Sequence, residues 1–224
     1  MIRVAAIVEG IIFDLDGTLV DSAPGIEHCL RQALAEVAPG SQPRVLPGLV
    51  GPPVRDMVAR LLPGADDALL DAGVAAFRRC YDGGGWRDTA PYEGAEQMLK
   101  TLGSAGRRLF IVTNKPRVPT DRILAHLGWR GLFDAVACRD DGASASADKA
   151  TALAHLMESE SLYTERIVFV GDTVDDAVAA QRRGLAFILA AYGYGGRDAA
   201  AAARAVATIE SPGALLALID VVSG

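Results

Sequence analysis

Short runs of apolar, largely β-branched residues recur along the chain, and each ends abruptly at polar ones. Ile11-Ile12-Phe13 stops at Asp14, Leu109-Phe110-Ile111-Val112 at Thr113, Ala135-Val136-Ala137-Cys138 near Arg139, and Ile167-Val168-Phe169-Val170 at Gly171-Asp172. Apolar runs of this kind predict strands covered on both faces, the condition of a parallel sheet. A fifth run, Leu185–Leu189, follows a helical stretch closed by Arg182, Arg183 and Gly184, a positive last turn and a glycine stop. Strands alternating with helices in this order predict an α/β fold with a doubly wound (Rossmann-like) parallel sheet.

The first and second runs are separated by about a hundred residues, several times the usual crossover, so a further module is inserted between them. Its pattern is helical. Ile26, Cys29, Leu30, Ala33, Leu34 and Val37 share one helical face, and Leu69, Leu70, Gly73, Val74, Phe77 and Tyr81 share another. A third helix is expected over residues 53–62, with Pro53 in its first turn. Pro24-Gly25 opens the insert, and Asp82-Gly83-Gly84-Gly85 with Pro91 and Gly94 closes it as a hinge would. The expected division is a core of residues 1–22 and 89–224 and a helical insert of 23–88. The Ala-rich stretch 199–203 is also expected to be helical.

Composition narrows the class of function. Of 224 residues half are hydrophobic, and 22 basic against 28 acidic side chains leave a net charge of −6. With no Lys/Arg run, the chain lacks the electrostatic footprint of a nucleic-acid or anionic-membrane binder, and small molecules become the expected partners. Cys29, Cys80 and Cys138 form no C-x-x-C pair and are too few for a disulfide framework, so they are expected to be buried thiols. Glu9 and Asp14 interrupt the apolar N-terminus, which argues against a signal peptide, and no stretch reaches the length of a membrane span. The expectation is a cytoplasmic protein, monomeric or homodimeric.

Candidate chemistry gathers at the strand ends. Asp14 and Asp16 follow the first strand, where open α/β sheets bind ligands, and Gly17-Thr18 turn the chain with backbone N–H groups available to an anion. An isolated D-x-D is more often a turn that ends a strand; here Asp172, Asp175 and Asp176 add a second acidic group at the same sheet edge. Carboxylates gathered there repel one another unless a cation joins them, and hard oxygen ligands suit Mg²⁺. Asp172 is the expected ligand and Asp175 the expected helix cap. Thr113, Asn114 and Lys115 offer a hydroxyl, an amide and an ammonium at the end of the second run. Lys115 is either a phosphate clamp or a solvated surface residue, whereas Lys149 heads the helix leading to the Asp172 strand.

Taken in order, these segments resemble the haloacid dehalogenase superfamily, phosphoglycolate phosphatase-like branch. Asp-Leu-Asp-Gly-Thr-Leu-Val-Asp-Ser at 14–22 is similar to the first motif, Thr113-Asn114-Lys115-Pro116 to the second, Lys149 to the third, and Gly171-Asp172-Thr173 with Asp176 to the fourth. Tyr192-Gly193-Tyr194-Gly195-Gly196 also resembles a stretch common in that branch, and the insert matches the position of its helical cap. The resemblance implies a Mg²⁺-dependent phosphatase acting on a small phosphorylated metabolite, with 2-phosphoglycolate favoured. Asp14 would be the nucleophile, forming an aspartyl phosphate, and Asp16 the acid and then the base. Asp14, Asp172 and the Asp16 backbone carbonyl would hold Mg²⁺. Thr113 and Lys149 would stabilise charge, Gly17, Thr18, Asn114 and Lys115 would bind the phosphate, and Asp176 would fix a metal water or Lys149. Asp16 also sets the chain apart from the dehalogenases, which lack that acid. A β-phosphoglucomutase-like mutase and a receiver-like phospho-acceptor domain are the alternatives. In the insert, Arg55 is either a substrate clamp or a surface salt bridge.

Overall fold

The computed structural model describes residues 8–40, 49–141, 148–195 and 204–219. The first seven residues and the Ala-rich stretch 199–203 lie outside them. By its contacts the chain divides into two compact units, residues 1–21 with 91–224, and residues 22–90.

The larger unit is built on a six-stranded sheet among the described residues: β1 (Gly10–Phe13), β4 (Arg108–Thr113), β5 (Ala135–Cys138), β6 (Ile167–Gly171), β7 (Ala186–Ala190) and β8 (Ala207–Ile209). Their order is β5-β4-β1-β6-β7-β8 and every pairing is parallel. The chain thus winds outward from β1 to one edge, returns, and winds outward to the other. β1 pairs with β4 at Ile11↔Leu109 and with β6 at Ile11↔Val168.

Alternate side chains of each strand feed two separate cores. Ile11, Phe13, Leu109, Ile111, Val168 and Val170 pack with Met98, Leu99 and Leu102 of α4 (Ala95–Ser104) on one face. Ile12, Phe110, Val112, Phe169 and Leu189 pack on the other with Leu153 and Leu156 of α6 (Lys149–Ser159) and Ala180 of α7 (Val174–Arg182). Both faces of the strands are therefore dry, which is why their sequences read as unbroken apolar runs. Two further short strands, β2 (Val20–Asp21) and β3 (Ala90–Pro91), pair with each other. With β8 they are the strands the periodicity missed. α5 (Arg117–His126) follows β4.

The smaller unit consists of α1 (Ala23–Val37), α2 (Val54–Leu61) and α3 (Asp67–Gly83), followed by a 3₁₀ turn at Gly85–Asp88. Leu30, Leu34, Met57, Val58 and Phe77 are buried. Gly73 belongs to the α3 stripe because a Cβ there would meet Val58 Cγ1 at 2.9 Å, so the glycine lets α2 approach. Pro53 stands one place earlier than expected, as the N-cap of α2 rather than in its first turn.

One expectation is corrected here. Cys29 and Cys80 are not free thiols: they form a disulfide that joins α1 to α3, with Cα atoms 5.5 Å apart, while Cys138 is free and buried. The cysteines therefore lend no support to the expected cytoplasmic location; what stands is that no described helix is long and apolar enough to cross a membrane. A Cβ at Gly85 would press on Cys29 Sγ at 2.5 Å, and one at Gly25 would run into the Gly85 carbonyl. These glycines serve close packing of α1 against the 3₁₀ turn.

Candidate active site

Winding in two directions from β1 leaves a crevice beyond the carboxyl ends of β1 and β6, where the strand order reverses. Asp14 is the first residue past β1 and Asp172 the first past β6. Asp14, Asp172 and Asp176 are all buried, and each offers a carboxylate oxygen within 4.8 Å of the others. Asp176 reaches them because its helix is tightly started. Thr173 caps α7, its hydroxyl accepting from the Asp176 N–H, while Asp176 Oδ2 accepts from the Thr173 N–H at 3.0 Å and from its hydroxyl. This reciprocal capping box replaces the expected Asp175 cap, and the Thr-x-x-Asp spacing carries its signal in the sequence. Gly171 is required beside it, since a Cβ there would lie 2.6 Å from Asp176 Cβ.

Lys149 joins the two sides of the crevice. It is the first residue of α6, whose N-cap Asp148 accepts from the Thr151 N–H. The ammonium donates to Asp14 Oδ1 at 2.9 Å and to Asp176 Oδ1 at 2.5 Å, with only 3% of its side chain exposed. Burial disfavours its charge, but the two carboxylates more than offset this and hold the ammonium well above its ordinary range. Burial also raises the Asp14 carboxyl well above the ordinary value, opposed by Lys149 and reinforced by Asp176 and Asp172. Asp172 is pushed up to about 7, first by burial and then by the charge of Asp176, against the Gly195 and Tyr194 N–H groups and Lys149. Three buried carboxylates share one buried ammonium among the described residues of the cluster, an arrangement that remains short of positive charge.

The other expected residues divide. Asp16 lies in the turn after β1, which Gly17 makes possible with φ 88° and which is tied by the Gly17 N–H to the Val20 carbonyl at 2.8 Å. Thr18 is buried and its hydroxyl donates to Asp172 Oδ1 at 3.2 Å. Lys115 is no solvated surface residue: it is 7% exposed and donates to Asp16 Oδ1 at 3.0 Å. Thr113 is buried at the end of β4, where its hydroxyl accepts from the Lys115 N–H. Asn114 instead turns its amide to Asp175 Oδ2 at 2.9 Å. In the smaller unit, Arg55 forms exposed ion pairs with Asp67 and Asp71 of α3, which is the salt-bridge reading of that residue.

A family model described as haloacid dehalogenase-like hydrolase matches residues 11–190. The chain belongs to the haloacid dehalogenase-like hydrolases. Phosphoglycolate phosphatase of Cupriavidus necator is 34% identical over 213 residues, covering 93% of this chain and 92% of its own length. Tyrosine-protein kinase PtkA of Mycobacterium tuberculosis is 34% identical over 190 residues, 84% of this chain, and the chain spans 64% of that relative's length. A solved haloacid dehalogenase-like hydrolase from Streptococcus pneumoniae has the same fold, with a TM-score of 0.85 at 24% identity over 94% of this chain and 97% of that one. In this haloacid dehalogenase-like hydrolase, the match from 11 to 190 takes in Asp14, Asp16, Thr18, Thr113, Lys115, Lys149, Asp172 and Asp176, while Tyr194 and Gly195 lie beyond it.

Proposed function

We propose that the protein is a Mg²⁺-dependent phosphatase that hydrolyses a small phosphorylated metabolite, 2-phosphoglycolate being the favoured one, through an aspartyl phosphate. The observation that carries this reading is the buried Asp14–Lys149–Asp176 chain of ion pairs at the strand-order reversal, with Asp172 beside it. The donor set fits a hard divalent cation: oxygen only, anionic in excess, and strained as it stands, since Asp172 is pushed up to about 7. Asp14, Asp172 and the Asp16 carbonyl would hold it, and when bound it supplies neutralising charge to the phosphoryl oxygens.

Lys149 holds Asp14 Oδ1, so Oδ2 is the atom that attacks phosphorus. The new O–P bond forms as the ester P–O bond breaks, and the leaving oxygen takes a proton from Asp16. Asp16, now a carboxylate, removes a proton from the water that attacks the acyl phosphate, releasing inorganic phosphate and restoring Asp14. Lys115 donates to Asp16 Oδ1 and so helps keep that carboxyl in place. Phosphate esters are very slow to hydrolyse unaided, so the preset charges of Lys149 and the backbone N–H groups after Asp14 are what the reaction requires. The smaller unit would act as the cap that excludes water and chooses the ester.

The test is phosphate release from 2-phosphoglycolate, hexose phosphates and nucleoside monophosphates, with Mg²⁺ or chelator, by wild type and Asp14→Asn. Turnover of one class, abolished both by chelation and by the substitution, is the expected result. Turnover that survives Asp14→Asn sinks the aspartyl-phosphate route. Since one relative is named a tyrosine kinase, a tyrosine-containing peptide with ATP is the control, and phosphorylated peptide without ester hydrolysis would transfer the site to that chemistry.

A further inference from the structure

The loop that follows β7, Tyr192-Gly193-Tyr194-Gly195, has no part in the chemistry above, yet it closes around the outer side of Asp172. The Tyr194 N–H donates to Asp172 Oδ2 at 2.7 Å and the Gly195 N–H to the same oxygen at 3.3 Å. Thr18 holds the other oxygen, so both lobes of the carboxylate are oriented from outside. The glycines are there because nothing larger fits. A Cβ at Gly17 or Gly193 would enter the Asp172 side chain, and one at Gly195 would strike the Asp172 backbone carbonyl.

The loop is itself fastened at two points by phenols. Tyr192 donates its hydroxyl to the Thr18 carbonyl at 2.8 Å, and Tyr194 donates to Asp21 Oδ1 at 3.0 Å. Both tethers end on the segment that runs from Asp14 to Asp21, so the connections after β1, β6 and β7 are bound into one frame around a single carboxylate. The Tyr192 ring is steadied by Tyr92, edge-on with centroids 5.0 Å apart. Packing alone would need the rings; the hydroxyl bonds fix where the two N–H groups point.

We propose that Tyr192 and Tyr194 are positioning residues whose hydroxyls hold the 192–195 loop so that its N–H groups fix Asp172 in the orientation that binds the divalent cation. This rests on the reading of Asp172 as a cation ligand. Groups that orient a ligand from outside typically carry ten- to hundredfold in metal affinity.

The experiment is a Mn²⁺ titration of the substrate-free protein, free ion counted by electron paramagnetic resonance, for wild type and the double variant Tyr192→Phe/Tyr194→Phe. Both rings are kept and only the hydroxyl bonds are lost. The expected result is a dissociation constant raised about tenfold, with the metal-free melting temperature within a few degrees of wild type. Should the double variant melt early, Tyr194→Phe alone keeps the Tyr192 tether and is read by the same criterion. Affinity within about twofold of wild type overturns the proposal, because outer ligand-orienting groups change it by more than that. A wild-type protein that binds no Mn²⁺ overturns it as well. Weaker Mn²⁺ binding in the variant, in a protein that hydrolyses no phosphate ester, upholds the positioning role and removes the phosphatase reading instead.

Discussion

Asp172 carries a charge that the metal-free fold does not welcome, and this gives the protein a pH dependence with a definite sign. Its carboxyl is pushed up to about 7 by burial and by Asp176, whereas in the unfolded chain it titrates near the ordinary aspartate value of about 3.9. Between those values the folded state binds more protons than the unfolded one, so stability falls as pH rises through the window. Asp14, raised by burial as well, adds to the same trend. The melting temperature of the metal-free protein should therefore decline from pH 5 to pH 7.5, and Asp172→Asn should flatten that slope. A variant with the wild-type slope would contradict the assignment. At this scale the sequence was informative about which residues matter and less so about what they touch. Asp14 and Asp172 were legible from their place at strand ends and Lys149 from its place at the head of a helix, but the Lys115–Asp16 pair and the turn of Asn114 toward Asp175 depend on side-chain directions across three loops.

Among the elements, the long parallel strands were legible because burial on both faces leaves an unbroken apolar signature, while β2, β3 and β8 are two or three residues long and carry none. The disulfide was illegible for a different reason. Cys29 and Cys80 are 51 residues apart, and their pairing follows only from the docking of α1 on α3. A bond closing so long a loop stabilises by about 4 kcal/mol through the entropy it removes from the unfolded chain. Cys29→Ser/Cys80→Ser, or reductant, should lower the stability of the helical unit by about that amount, read as an earlier melting transition, with alkylation and mass measurement confirming two released thiols. An unchanged transition after complete reduction would show that helix packing alone suffices.

For the molecule as a whole, the arrangement separates tasks. The residues argued to handle phosphorus all belong to the unit of residues 1–21 and 91–224, and the helices of 22–90 form a unit with its own buried side chains and its own covalent bond. The Tyr92 N–H donates to the Leu19 carbonyl at 3.1 Å, so the chain departs and comes back along neighbouring paths inside the larger unit. The two ends of the helical segment thus share one doorway, narrow enough for a turn of about two to five residues to bridge. Replacing residues 22–90 by such a turn should leave a protein that folds and still binds Mn²⁺, but that no longer discriminates among phosphate esters in the hydrolysis panel. Seen this way the doorway is a socket: a different helical segment grafted onto it is expected to change which phosphate ester is chosen, while the residues of the larger unit stay as they are.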